Sequence, residues 1–183
     1  LSELVKIGKI RNVGLSNETP WGTMEFLRLS KDKHLPRVQS IQNAYNLLNR
    51  IFEFGGSEIA FRENVGLLAY SPLAQGYLTG KYQNGNLPEG SRKALFDRLQ
   101  RYEGVGSEEA IESYLNIAKK HNIDPSQLAN QFVTTRPFVT SNIIGATSIE
   151  QLKLAVTSIE VEMNEELEND IEEAFKVHGN VAS

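Results

Sequence analysis

From Tyr70 to Lys81 the chain sets a flat aromatic ring, hydroxyls, glycines and a cation close together, through Ser71, Pro72, Leu73, Gly76, Thr79 and Gly80. That inventory suits a ligand with a ring at one end and phosphate further along. It equally describes a buried strand that ends in an ordinary turn. A second stretch, Gln42-Asn43, offers amides that either hydrogen-bond a ligand amide or cap the next turn. A third, Gly145-Ala146-Thr147-Ser148, runs straight into Ile149-Glu150-Gln151-Leu152. A helix starting there presents unpaired N–H groups and its positive dipole end, an anion site, and Gly145 lets the backbone approach a phosphate. Ser148 and Gln151 also have the spacing of a capping box, which uses only some of those N–H groups.

Short strands must position these groups. Residues 65–70 are an apolar run stopped by Ser71-Pro72, which predicts a strand buried on both faces. Residues 10–15, 38–42 and 140–144 predict three more; in the second, Val38, Ser40 and Gln42 alternate with Gln39 and Ile41. Helices are predicted over 1–8, 23–33, 58–63, 107–121, from 125 to before Pro137, from 149, and over 164–177. Met24 with Leu27, and Phe26 with Leu29, give the second helix a broad apolar stripe. Asp124 is placed as a cap, Pro125 at the first helical position, and Gln127 as the residue that closes a capping box. Residues 83–106 form a long, lid-like loop with a short helix over 95–102; its Arg92, Arg98 and Arg101 either clamp an anion or form a solvated face.

Each strand is followed by helix, so every candidate group falls at a strand's C-terminal end. In a parallel α/β arrangement those ends share one face, where (β/α)8 barrels keep their sites and, near the last two strands, their phosphate pocket. Four strands do not close a barrel that takes about 250 residues. The expected fold class is therefore α/β, the second half of a TIM-type (β/α)8 barrel. The chain also opens without methionine inside a predicted helix, and it reads as a piece of something longer.

Composition narrows the function. With 183 residues and 40% apolar content the chain buries a real core as one domain, 1–183. No apolar run approaches the roughly 20 residues of a membrane span, and the start lacks the features of a signal peptide. A net charge of -4 with interspersed signs argues against nucleic acid. The absence of cysteine removes disulfides and thiolate chemistry and fits a cytoplasmic protein. His34, His121 and His178 lack zinc-ligand spacing and are placed at the surface or at helix ends, so no metal is expected.

Four motifs in order carry a resemblance to the aldo-keto reductases across nearly the whole chain. They are residues 4–17, ending Val13-Gly14-Leu15-Ser16-Asn17; residues 41–50, opening Ile41-Gln42-Asn43; Tyr70-Ser71-Pro72-Leu73 with Gly76 and Thr79-Gly80-Lys81-Tyr82; and Ile144-Gly145-Ala146-Thr147 with Gln151-Leu152. Within that family the chain looks most like the bacterial Tas-type enzymes, themselves similar to potassium-channel β subunits. The resemblance implies that Ser16, Asn17 and Gln42 hold the nicotinamide carboxamide of NADP(H) and that Tyr70 stacks on its ring. Ser71, Pro72 and Leu73 would line the pyrophosphate path under the loop bearing Lys81. Arg92, Thr147 and Gln151, beside Gly145, would hold the adenosine end and its 2'-phosphate, which implies NADPH over NADH. Leu154 and Ala155 depart from the acidic residue and asparagine the family carries near the adenine. The family's catalytic tyrosine, lysine, aspartate and histidine belong to the first half of its barrel, so none is assigned here. The expectation is the cofactor-binding half of a reductase of aldehydes or ketones, completed by its missing half or by a second copy. Its rival is a non-catalytic nucleotide-binding module like the channel β subunits.

Overall fold

The computed structural model describes residues 1–96 and 100–182. Four strands, β1 (Val13–Ser16), β2 (Val38–Ala44), β3 (Gly66–Tyr70) and β4 (Val139–Ile143), form one parallel sheet in the order β1-β2-β3-β4. Parallel neighbours need crossovers, and helices supply them. After α1 (Ser2–Lys6) and β1 comes α2 (Pro20–Asp32), and α3 (Gly56–Glu63) links β2 to β3. The third crossover holds α4 (Arg92–Leu95), α5 (Ser107–Lys120) and α6 (Pro125–Thr134). Beyond β4 lie α7 (Ile149–Thr157) and α8 (Glu165–His178). Strand following strand with a helical return is the architecture of half a (β/α)8 barrel.

The helices cover one face of the sheet. Leu67 and Ala69 are wholly buried, whereas Gly66, Leu68 and Tyr70 between them are only partly so. The expectation that β3 is buried on both faces is therefore corrected: its second face is only partly covered by the described residues. Strand β2 departs from simple alternation too. Val13 pairs with Val38 but Gly14 with Ser40, so β2 carries one extra residue, and Val38 and Ile41 both reach the buried face. Gly14, Ser16, Ser40 and Gln42 lie on the opposite, more open face; a Cβ at Gly14 would come within 2.9 Å of Ser40 Oγ.

Local chemistry sets the helix ends. Thr19 Oγ1 accepts from Gly22 N at 3.0 Å and Pro20 takes the first helical position, so α2 starts earlier than residue 23, the start its apolar spacing predicts. Its stripe is narrower than expected, because Leu27 is buried while Met24 and Phe26 are exposed. Asp124 caps α6 by accepting from Ser126 N and Gln127 N, but the Gln127 side chain donates to Thr157 Oγ1 at 2.9 Å instead of closing a box. Residues 95–102 are not one helix: α4 ends at Leu95 and a separate turn spans Gln100–Tyr102. Arg98 lies outside the described residues.

Tyr45, Leu48, Leu67, Leu128, Phe132 and Ile171 anchor the core, and burying each such side chain contributes about 1.5–3 kcal/mol. Arg50 crosses this core almost fully buried. Its Nε lies 2.8 Å from Glu53, its Nη1 2.8 Å from Glu172, and its guanidinium 4.1 Å from the Phe175 ring centre. That pairing ties α8 to the exit of β2, where the C-terminal tail also docks: Val181 N and Ala182 N both donate to Leu48 O. Among the described residues no helix is long and apolar enough to cross a membrane.

Candidate functional site

The exits of β1, β2 and β3 converge. Ser16 is in register with Gln42, and Gln42 with Leu68, while Asn17 N prolongs the ladder by donating to Gln42 O at 3.0 Å. Asn17 takes the left-handed conformation (φ 54°), which asparagine tolerates better than most residues. This turns its side chain toward Tyr70, whose hydroxyl donates to Asn17 Oδ1 at 2.7 Å. Arg101 Nη1 in turn donates to the Tyr70 hydroxyl at 3.3 Å, and that bond raises the Arg101 pKa. Ser16, Asn17, Gln42 and Tyr70 thus form one cluster.

After Tyr70 the backbone turns sharply at Ser71 (φ 58°), and wholly buried Asn46 holds the turn. Asn46 Nδ2 donates to Ser71 O and to the Tyr102 hydroxyl, both at 2.9 Å, and its Oδ1 accepts from Leu48 N at 3.0 Å. Pro72 is buried and Leu73 half-buried beneath this loop. At Gly76 (φ 103°) a Cβ would sit 2.8 Å from Lys81 Cε, so the glycine makes room for Lys81 to fold back across the turn. The Lys81 ammonium lies 5.1 Å from the centre of the Tyr82 ring.

The long loop is latched rather than loose. Glu103 accepts from Lys93 Nζ at 2.6 Å and from the Tyr77 hydroxyl. Lys93 and Tyr77 hold the Glu103 carboxyl below its ordinary range, while burial and Glu103 push Tyr77 up to about 12. Arg92 opens α4 after its cap, Ser91; its exposed side chain makes no hydrogen bond or ion pair among the described residues. Proximity of Arg92 to the Thr147 region is therefore not carried by any bond. Sequence spacing did not reveal Asn46, Tyr102 or Glu103, because each works through a contact distant in the chain.

The start of α7 lies at the same end of the sheet, since Tyr70 is in register with Ile143, four residues before Thr147. Ser148 Oγ accepts from Gln151 N, as a cap should, but Gln151 Oε1 accepts from Thr147 N (2.9 Å) and Thr147 Oγ1 (3.2 Å). The box therefore closes one residue earlier than its usual form. Glu150 is held below the ordinary carboxylate range by a bond from its own N–H and one from Ser148. A Cβ at Gly145 would meet nothing within 4 Å, so the space beside it is open.

A mainly apolar cavity of about 330 Å³ opens beside the cluster, and Asn17, Tyr70, Arg101, Pro20, Ile41 and Phe52 are among the residues that line it. Elsewhere, His121, Glu166 and Asp170 gather a possible cation-binding set that linear spacing concealed. Lys120 already fills it, with Nζ 2.7 Å from Asp170 and 3.1 Å from Glu166, and His121 Nε2 is 2.6 Å from Asp170. His121 and His178 do sit at helix ends, the latter 2.8 Å from Ser113 Oγ.

Comparison with known proteins places these features. The profile of the "Aldo/keto reductase family" matches residues 1–176. "Protein tas" of Escherichia coli K12 is 46% identical over 178 residues, covering 97% of this chain and 51% of that protein. An "Aldo-keto reductase" of Babesia bovis is 42% identical over 84% of this chain and 56% of its own length. An "L-glyceraldehyde 3-phosphate reductase" of Escherichia coli K12 is 33% identical over 87% of this chain and 47% of its own. The chain spans about half the length of these curated relatives.

Proposed function

The chain belongs to the aldo/keto reductase family, and from that we propose that it is the NADP(H)-binding part of an oxidoreductase that reduces small aldehydes or ketones. One observation carries the reading: the carboxamide candidates Ser16, Asn17 and Gln42, the ring of Tyr70 and the start of α7 occupy one end of one sheet. The donor set fits the group. Asn17 Oδ1 is taken by Tyr70, so Asn17 Nδ2 is left to donate to a carboxamide oxygen. Ser16 and Gln42 can then accept from the carboxamide nitrogen.

Bound there, NADPH supplies a hydride for a carbonyl carbon. This chain's residues orient and hold. Tyr70 offers the stacking face; Ser71, Pro72 and Leu73 line the phosphate path with Lys81 above; Gly145, Thr147, Gln151 and Arg92 take the adenosine end with its 2'-phosphate. The α7 start supports that last role, because a helix N-terminus carries the positive end of the dipole and the space beside Gly145 is open. Protonation of the developing alkoxide needs an acid. We assign it to the part of the longer relatives that this chain does not span; that part, or a second copy, is the proposed partner. A cytoplasmic location belongs to the same reading.

Titration of NADPH, NADH and 2',5'-ADP by fluorescence and calorimetry tests it. NADPH is expected to bind more tightly than NADH, with the preference reduced in Arg92→Ala. Binding of none of the three would overturn the proposal.

A further inference from the structure

Arg101 belongs to none of the motifs of the chain and does not line the phosphate path. Its Nη1 nevertheless donates to the Tyr70 hydroxyl, which donates to Asn17 Oδ1. A guanidinium has only donors, and a phenol has a single hydrogen. With Arg101 on its oxygen, a second donor there is disfavoured, and the Tyr70 hydrogen goes to the acceptor 2.7 Å away, Asn17 Oδ1. The polarity of the Asn17 amide is thereby fixed, and its NH2 is what faces a ligand.

We infer that Arg101 is a positioning residue for the nicotinamide end: through Tyr70 it locks Asn17 with its Nδ2 presented to the carboxamide carbonyl oxygen. Without Arg101, the phenol is free to accept from Asn17 Nδ2 instead. The amide then presents an oxygen to an oxygen, and a favourable contact becomes a repulsive one. This inference rests on the NADP(H) reading above and adds to it the group that sets donor direction at the ring. Arg101 and Tyr70 both border the apolar cavity.

The test compares two ligands on the 183-residue chain: NADP+, and 2',5'-ADP, which keeps the adenosine phosphates and lacks the nicotinamide. Arg101→Ala is expected to weaken NADP+ about tenfold, the worth of roughly one charge-assisted hydrogen bond. Binding of 2',5'-ADP should stay unchanged, which also shows that the variant is folded. Arg101→Lys, which keeps a donor, should recover most of the loss. In a Tyr70→Phe background Arg101→Ala should cost nothing further, because the relay is already broken. Equal loss for both ligands, no loss for either, or full additivity with Tyr70→Phe overturns the inference while leaving the cofactor reading standing. Failure of the unmodified chain to bind either ligand removes the cofactor reading and the relay with it.

Discussion

Replacing Asn46 by alanine strands three partners at once. The Tyr102 hydroxyl and the Leu48 N–H are deep in the core, where Tyr102 is 1% and Leu48 0% exposed, and neither finds water in compensation. Ser71 O, at the half-buried turn, loses its clamp as well. A hydrogen bond contributes about 1 kcal/mol net and a buried group left unpaired costs about 1–3 kcal/mol, so Asn46→Ala is expected to destabilise by about 3–5 kcal/mol. With a urea dependence of about 2 kcal/mol/M, the unfolding midpoint falls by about 2 M, readily measured by circular dichroism. Two companions separate the contributions. Tyr102→Phe removes one partner cleanly and should cost about 1 kcal/mol. Asn46→Asp keeps the acceptor for Leu48 N but sets an oxygen against Ser71 O, so it should be severely destabilising at neutral pH and milder in acid, where a protonated carboxyl donates. A midpoint shift under about 0.5 M for Asn46→Ala, or a neutral Asn46→Asp, would refute the claim that this side chain holds the turn after β3.

Glu150→Gln removes a negative charge from the first turn of α7, where a phosphate would carry the same sign, so NADPH should bind several-fold more tightly with NADH little changed; weaker NADPH binding, measured by fluorescence titration, would count against a phosphate role for that junction. A Cβ at Gly66 would come within 1.8 Å of Thr140 Oγ1, so Gly66→Ala should cost about 1–3 kcal/mol in thermal unfolding, most of it recovered in Gly66→Ala/Thr140→Ala. Lys120 first, then His121, hold the Asp170 carboxyl below its ordinary range, so its contribution is complete above the unfolded pKa and is lost as pH falls toward the depressed value. The stability difference between the parent and Asp170→Asn should therefore shrink as pH falls from about 5 to about 3, and a difference that stays constant or grows over that range would contradict it.

What the sequence revealed follows from the range of the forces involved. Strand existence and the Asp124 and Ser148 caps were legible because they depend on residues within a few positions of one another. Thr19-Pro20 is a local start signal for α2, but the apolar spacing begins only at Met24 and so points to a later start than the cap sets. The extra residue in β2 was not legible, since Val38 and Gln39 choose faces according to the partner strand. Similarly, Tyr70 and Asn17 were each singled out, but the bond joining them spans 53 positions and depends on the sheet forming first. Asn46 lies inside one of the motifs that carry the family resemblance, yet only burial shows it as the hub of three segments. The latch of Glu103 on Lys93 and Tyr77 likewise exists only once the long loop has closed.

Every ladder in the sheet joins strands that are consecutive along the chain. Such wiring lets each unit dock on the one synthesised just before it, so assembly can proceed in one direction without waiting for a distant piece. It also keeps all three seams of the sheet inside one stretch of sequence, so exchanging that stretch as a unit leaves each of them intact.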